Sequence, residues 1–155
     1  MPMRPGQAKG PSLNPPAISG GTIVTPTVVP TWLLFTVTHT QLQAAALAND
    51  IELWSVPARV IIHGVVFEPT VQFAGVGITD YKMSLGIAAN LPKYMAFVDV
   101  DNAVSASNFF TSDILGAEST SAVYSLRVAA RSIGANLSAS TAGTLNVAIL
   151  AAIWR

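Results

Sequence analysis

The chain contains no cysteine, which excludes disulfides, thiolate-held metals and a cysteine nucleophile together. Charge is the second scarcity. Eight Lys and Arg face eight Asp and Glu, so charged residues make up 10% of 155 positions, against about 25% in an average soluble protein. With a net charge of zero there is neither a basic surface to neutralise phosphates nor self-repulsion to keep copies apart. Nucleic acid is therefore not an expected partner. Hydrophobic residues make up 51%, and an exterior so poor in charge is expected to be covered by identical copies or by another protein.

Groups able to do chemistry are equally sparse. The only imidazoles are His39 and His63. His63 falls inside the most apolar strand expected, where a histidine is more often hydrogen-bonded in the core or at a subunit contact than used as a base. His39 ends a strand between threonines, as a surface histidine does. No G-x-S-x-G elbow presents a serine, and no enzyme is expected, nor a small-molecule substrate or cofactor. Asp99, Asp101 and Asn102 imitate the start of a calcium loop. However, Val104 stands where its glycine belongs and Phe110 where its closing acid belongs, so no metal site is expected. Aromatic residues make up 8% and lie far from basic ones, which gives no stacking platform for bases.

A long membrane-crossing run is also missing. Residues 132–154 carry no charge, but their first half is Gly, Ser, Thr and Asn. The solid apolar part is about ten residues, half of the ~20 that a spanning helix needs. The N-terminus, MPMRPGQAKGPSLNPP, lacks the apolar core of a signal peptide.

What is present begins with proline. Residues 1–30 hold seven of the ten prolines and Gly6, Gly10, Gly20 and Gly21, so neither helix nor interior strand is expected there. Between the prolines stand Ile18, Ile23, Val24, Val28 and Val29, apolar β-formers that a solvated linker usually lacks. This predicts an extended N-terminal arm that gains order by lying along another surface, and these five residues with Trp32 are its expected partner contacts.

Residues 31–155 read as short strands between turns. Residues 32–39 alternate, residues 41–49 allow one or two helical turns, and residues 51–56 resume a strand. Residues 60–67 are apolar on both faces, as in a central strand, with Pro69 expected to end it. Residues 71–80, with Gly75 and Gly77, suit a loop or kinked strand. Tyr81, Met83, Leu85 and Ile87 alternate with Lys82, Ser84 and Gly86. Residues 90–93 predict a turn, residues 97–100 and 108–111 short strands, and residues 112–121 a polar loop.

The last stretch, residues 122–155, predicts two long strands. In the first, Arg127 and Arg131 share the face opposite Leu126, Val128 and Ala130. The second is apolar on both faces towards its end, which predicts a central strand covered from outside its own sheet. Ile153 and Trp154 are accordingly expected inter-subunit contacts. About eight strands with little room for helix predict an all-β fold, an antiparallel β-sandwich of jelly-roll type.

Two runs carry a resemblance: HTQLQAAALANDIELWSVPARVIIHGVVFEPTVQFAGVGITDYKMSLGI and GANLSASTAGTLNVAILAAIW. In order and phrasing, over roughly residues 35–155, they resemble the capsid decoration or cement proteins of tailed bacteriophages. The resemblance implies a jelly-roll subunit, commonly a homotrimer, seated on the outer capsid surface of the virion at junctions between major capsid proteins. Other expectations compatible with the residues are a tail, neck or fibre-tip component, for which Trp54, Tyr94, Phe109 and Phe110 would supply contacts, and a carbohydrate-binding module.

Overall fold

The computed structural model describes residues 30–102, 110–113 and 122–153. They form β1 (Thr31–Thr38), α1 (His39–Leu42), β2 (Ala48–Val56), β3 (Val60–Gly75), β4 (Asp80–Ile87), β5 (Asn90–Asp99), β6 (Phe110–Asp113), β7 (Tyr124–Ile133) and β8 (Ser140–Ile153). One sheet has the order β1-β8-β3-β6 and the other β2-β7-β4-β5. First pairs with eighth, second with seventh, third with sixth and fourth with fifth, all antiparallel. That nesting is a single long hairpin rolled over itself, the topology of a jelly roll, as the strand count predicts. Residues 1–29, nearly all of the expected arm, and Trp154 lie outside the described residues.

The core follows from alternation. From the first sheet, Val37, Val65, Phe67, Leu145, Val147 and Ile149 point inward; from the second, Tyr81, Met83, Leu85, Leu126, Val128 and Ala130 meet them, all fully buried or nearly so. Each large side chain of this set contributes roughly 1.5–3 kcal/mol by leaving water. Phe73 and Tyr81 join the sheets with ring centroids 4.9 Å apart. Leu42 on α1 and Leu137 on the short 3₁₀ turn Leu137–Ala139 are also buried in this core. Thr38 donates its N–H to Gln41 Oε1 at 2.8 Å, which stabilises the start of α1.

Three local expectations are corrected. The two strands of residues 122–155 lie in different sheets. β7 lies between β2 and β4, and β8 lies between β1 and β3, so each is central in its own sheet. The helical turn occupies His39–Leu42, and β2 begins at Ala48, leaving residues 43–47 irregular. Pro69 does not end β3, which continues to Gly75 through shifts of register. β6 covers only Gly64 to Phe67, so beyond that point β3 has β8 as its one ladder partner among the described residues, an edge where a missing N–H is tolerated.

The turn expected at residues 90–93 sits at Ala88 and Ala89 instead, and Asn90 already belongs to β5. Leu85 pairs with Met95 and Ile87 with Asn90, so the start of β5 bulges against β4. Gly86 makes this possible. A Cβ there would lie 2.2 Å from Asn90 O and 2.3 Å from Leu91 O. Ser84, buried beside it, donates to Leu91 O at 3.2 Å.

Tyr81 supplies a test of core polarity. Its hydroxyl is buried without a hydrogen-bond partner. Burial pushes the phenol up to about 12, outweighing the opposite pull of Ser140, whose own hydroxyl donates to Ala74 O. Because the folded value lies above the unfolded value of about 10, the stabilisation is complete below pH 10 and is lost as pH rises towards 12, by roughly 2–3 kcal/mol. Lys82, raised by hydrogen bonds to Asp99 and then Asp80, adds a loss of the same sign above its ordinary range. Tyr81→Phe should gain about 1 kcal/mol at pH 7 and flatten the alkaline limb. Denaturant titrations at pH 7 and pH 11 measure both, and a destabilised variant would show that the hydroxyl is satisfied.

Candidate functional site

Among the described residues, none gather into a catalytic constellation around the two histidines. His39 follows β1 beside Gly143, with Nδ1 3.4 Å from its carbonyl oxygen. His63 is the extra residue where β3 bulges between Ile62 and Gly64, opposite Ala151 and Leu150. At about 3.4 Å per residue, β8 separates the two by something on the order of 20–25 Å. The bulge corrects the core alternative expected for His63: it turns this side chain out of the core, and His63 is exposed.

The two outer faces of the sandwich differ in chemistry. Across β2-β7-β4-β5 the outward positions hold Asp50, Glu52, Asp80, Lys82, Asp99, Arg127 and Arg131. These charges are largely matched among themselves. Arg127 donates from Nε to the Asp50 carboxylate and from Nη2 to Asp50 O at 3.3 Å. Lys82 Nζ lies 3.3 Å from Asp80 and 3.1 Å from Asp99, and the Arg131 guanidinium stacks 4.1 Å from the Phe97 ring centroid. Pairs of this exposure add little each, but they keep the face wet.

The carboxylates of Asp80, Asp99 and Asp101 approach within 4.8 Å of one another. Lys82 already supplies the positive partner of Asp80 and Asp99. Beside them an open cavity of about 310 Å³ is lined by Leu47, Ala48, Asp80, Lys82, Arg131, Ser132 and Ile133. Its lining includes no aromatic ring on which a sugar would stack. Asp99 ends β5 in solvent.

Across β1-β8-β3 the outward rows are Trp32–Leu150–Gly64, Leu34–Ala148–Val66 and Thr36–Asn146–Glu68. β6 adds Asp113 to this sheet opposite Gly64, and within the three rows Glu68 is the one charged group. It accepts from Asn146 Nδ2 at 3.1 Å, while Thr36 Oγ1 donates to Asn146 Oδ1 at 3.1 Å. The remaining rows are apolar and open, with Trp32 56% and Leu34 68% exposed. At the far end of the same face Ile61 and Ala152 are already buried.

Trp32, an expected contact, therefore stands outward on an apolar sheet face. Ile153 closes β8 opposite Val60. Ile18, Ile23, Val24, Val28, Val29 and Trp154 lie outside the described residues. Leu34 was not singled out by sequence reasoning, although the charge-free outward positions of β1 were a signal for it. Two aromatics weighed as loop contacts do not serve as such. Trp54 packs on Phe35 with centroids 6.2 Å apart, and buried Tyr94 donates its hydroxyl to that of Tyr124 at 3.4 Å. Phe109 lies outside the described residues.

No family profile matches the chain, and no curated protein matches it. Solved structures do. One chain of the cyanophage Pam1 capsid asymmetric unit is similar in fold, with a TM-score of 0.56 and 15% identity, covering 96% of this chain and 99% of that one. A chain from the acid-stable capsid of the Helicobacter pylori bacteriophage KHP30 aligns with a TM-score of 0.46 and 17% identity, covering 79% and 90%. At such identities the likeness is one of fold.

Proposed function

We propose that this chain is a structural protein of a bacteriophage virion, a decoration or cement subunit that binds the outer surface of the head as a homotrimer and strengthens contacts between major capsid proteins. The observation that carries this reading is the end-to-end likeness of its jelly roll to a chain of a phage capsid asymmetric unit. Two further features support it. The charge-poor composition suits a subunit whose surface is largely covered, and the unlike faces give one side for water and one for a partner.

The mechanism is mechanical. A subunit bridging neighbouring capsomers adds contact area across seams that internal pressure would open. Linked contacts on one oligomer raise avidity by ~10²–10⁴ without any single strong site. Residues 1–30 are proposed as the arm that extends this contact.

Purified protein mixed with undecorated heads should bind and raise their heat resistance, and deleting residues 1–29 should weaken binding at least tenfold. Failure of the intact protein to bind heads overturns the reading. Shell-wide labelling of virions by an antibody is expected; labelling confined to the tail end would favour a tail, neck or fibre-tip role instead.

A further inference from the structure

We propose that Val76 of one copy of this chain enters the cavity between Leu47 and Ile133 of a second copy, and that this contact joins the subunits of the oligomer. The inference rests on the oligomeric reading above and names the contact that reading requires. Three segments meet at the end of the sandwich where β3 finishes and β8 begins, residues 43–47, 75–79 and 133–139. Backbone bonds stitch them together. Ser132 N–H donates to Leu47 O at 2.8 Å, Leu137 N–H to Ala46 O at 2.9 Å, Ser138 N–H to Ala44 O at 2.8 Å and Thr79 N–H to Ile133 O at 2.8 Å. A surface held in this way loses little freedom on docking.

The cavity of about 310 Å³ is lined from β2, β4 and β7 of the second sheet and from Leu47 just before β2. Its charged members are already engaged, Lys82 with Asp80 and Asp99, and the Arg131 guanidinium on the Phe97 ring. What stays open is aliphatic: Leu47, Ala48 and Ile133, of which the two larger are more than half exposed. Such a hollow takes an aliphatic side chain. Val76 is the most exposed large hydrophobic residue among those described, at 76%. It follows β3 of the first sheet, and its N–H donates to Ala139 O at 3.0 Å. Gly134 packs closely on the same turn, where a Cβ would lie 2.2 Å from Gly77 O. The turn is therefore fixed with its valine outward.

The occupant is a second copy because this chain carries both halves of the match. Val76 does not line its own cavity, and knob and hollow arise from different sheets. Each subunit can then offer its knob to the next, a head-to-tail contact of the kind that closes into rings. Charge agrees as well. Residues 40–49, 69–79 and 132–153 contain no charged residue, so copies meeting through these segments bring no like charges together. The paired Lys82, Asp80 and Asp99 remain at the rim, where they cost the contact nothing.

The absence of native cysteine makes the test direct. Val76→Cys is prepared with one tag and Leu47→Cys with another, and the two are mixed and treated with a short thiol cross-linker without any capsid present. Each chain holds one thiol, so every link joins two copies. Pairs carrying both tags are expected to outnumber same-tag pairs. Ile133→Asp in the Leu47→Cys copy should lower their yield about tenfold or more, since a charge buried in an apolar contact costs at least the free energy of one decade. Ile133 is exposed, so that variant should fold, and its denaturant midpoint as a diluted subunit checks this. No pairs, or mainly same-tag pairs, would overturn the proposal. Mixed pairs that persist with Ile133→Asp, while head binding alone weakens, would assign the cavity to a capsid side chain and overturn it too. The mass of the native protein in solution is measured separately: an oligomer without mixed pairs keeps the oligomeric reading and loses this contact, whereas a monomer loses both.

Discussion

Replacing Gly143 by alanine should destabilise the protein by about 3–5 kcal/mol, enough to remove a large part of a typical domain's stability. Two independent penalties combine. Gly143 has φ +142°, a conformation that side chains rarely adopt, and holding a non-glycine residue there costs roughly 1–3 kcal/mol. The added Cβ would also fall 2.3–2.7 Å from three ring carbons of Phe73. Phe73 is fully buried and packed against Tyr81 at a tilt of 43°, so its ring has nowhere cheap to go, and overpacking of this kind adds about 1–3 kcal/mol.

The second penalty is separable from the first. Phe73→Leu shortens the side chain that the new methyl meets. Gly143→Ala made in that background should cost at least 1 kcal/mol less than in the wild type, because residues in contact do not contribute additively. Denaturant unfolding of the four proteins of this cycle measures the difference. Equal costs in both backgrounds would assign the whole effect to the backbone and none to the ring.

Phe67→Ala should cost about 3–5 kcal/mol, while Val66→Ala beside it should cost less than about 1 kcal/mol in the isolated subunit. Phe67 is fully buried between the sheets opposite Val147, whereas Val66 faces outward opposite Ala148 and is half-buried. The contrast between consecutive residues is the direct consequence of strand alternation on a two-layer sandwich. Thermal or denaturant unfolding checks it, and similar losses at both positions would mean that the outer face is covered by the subunit's own chain. A penalty for Val66→Ala that emerges only in the assembled oligomer would place the cover on a neighbour.

Much of the sandwich was legible along the chain. The alternation of Tyr81, Met83 and Leu85, and of Leu126, Val128 and Ala130, requires nothing beyond the pleat, and all six are buried. Arg127 and Arg131 face outward for the same reason. Their partners Asp50 and Phe97 were not legible, because a pair across strands depends on register. Local rules failed where a neighbour overrode them. Pro69 remains in a strand because β6 is short, His63 turns outward at a bulge, and residues 90–93 enter β5 because Gly86 clears the space beneath them.

The candidate site was legible in part. Trp32 and the charge-free approach to β1 are visible in the sequence, but the face they belong to is assembled from β1, β8 and β3, strands separated by as many as 110 positions in the bonded pair Thr36–Asn146. No window of sequence contains it.

By itself, then, the sequence determined the strand count, the inward set of each strand, the scarcity of charge and the exclusion of thiol chemistry, all of which follow from residue identity and a period of two. Only the tertiary structure decided that β7 and β8 lie in separate sheets, that seven charged residues share the outer face of β2-β7-β4-β5, and that the outward rows of β1, β8 and β3 are mostly apolar. The reason is physical: alternation assigns a side chain to one surface of its strand, while sheet membership is assigned by long-range hydrogen-bonded pairing, and a surface acquires its character only when the strands that share it are known.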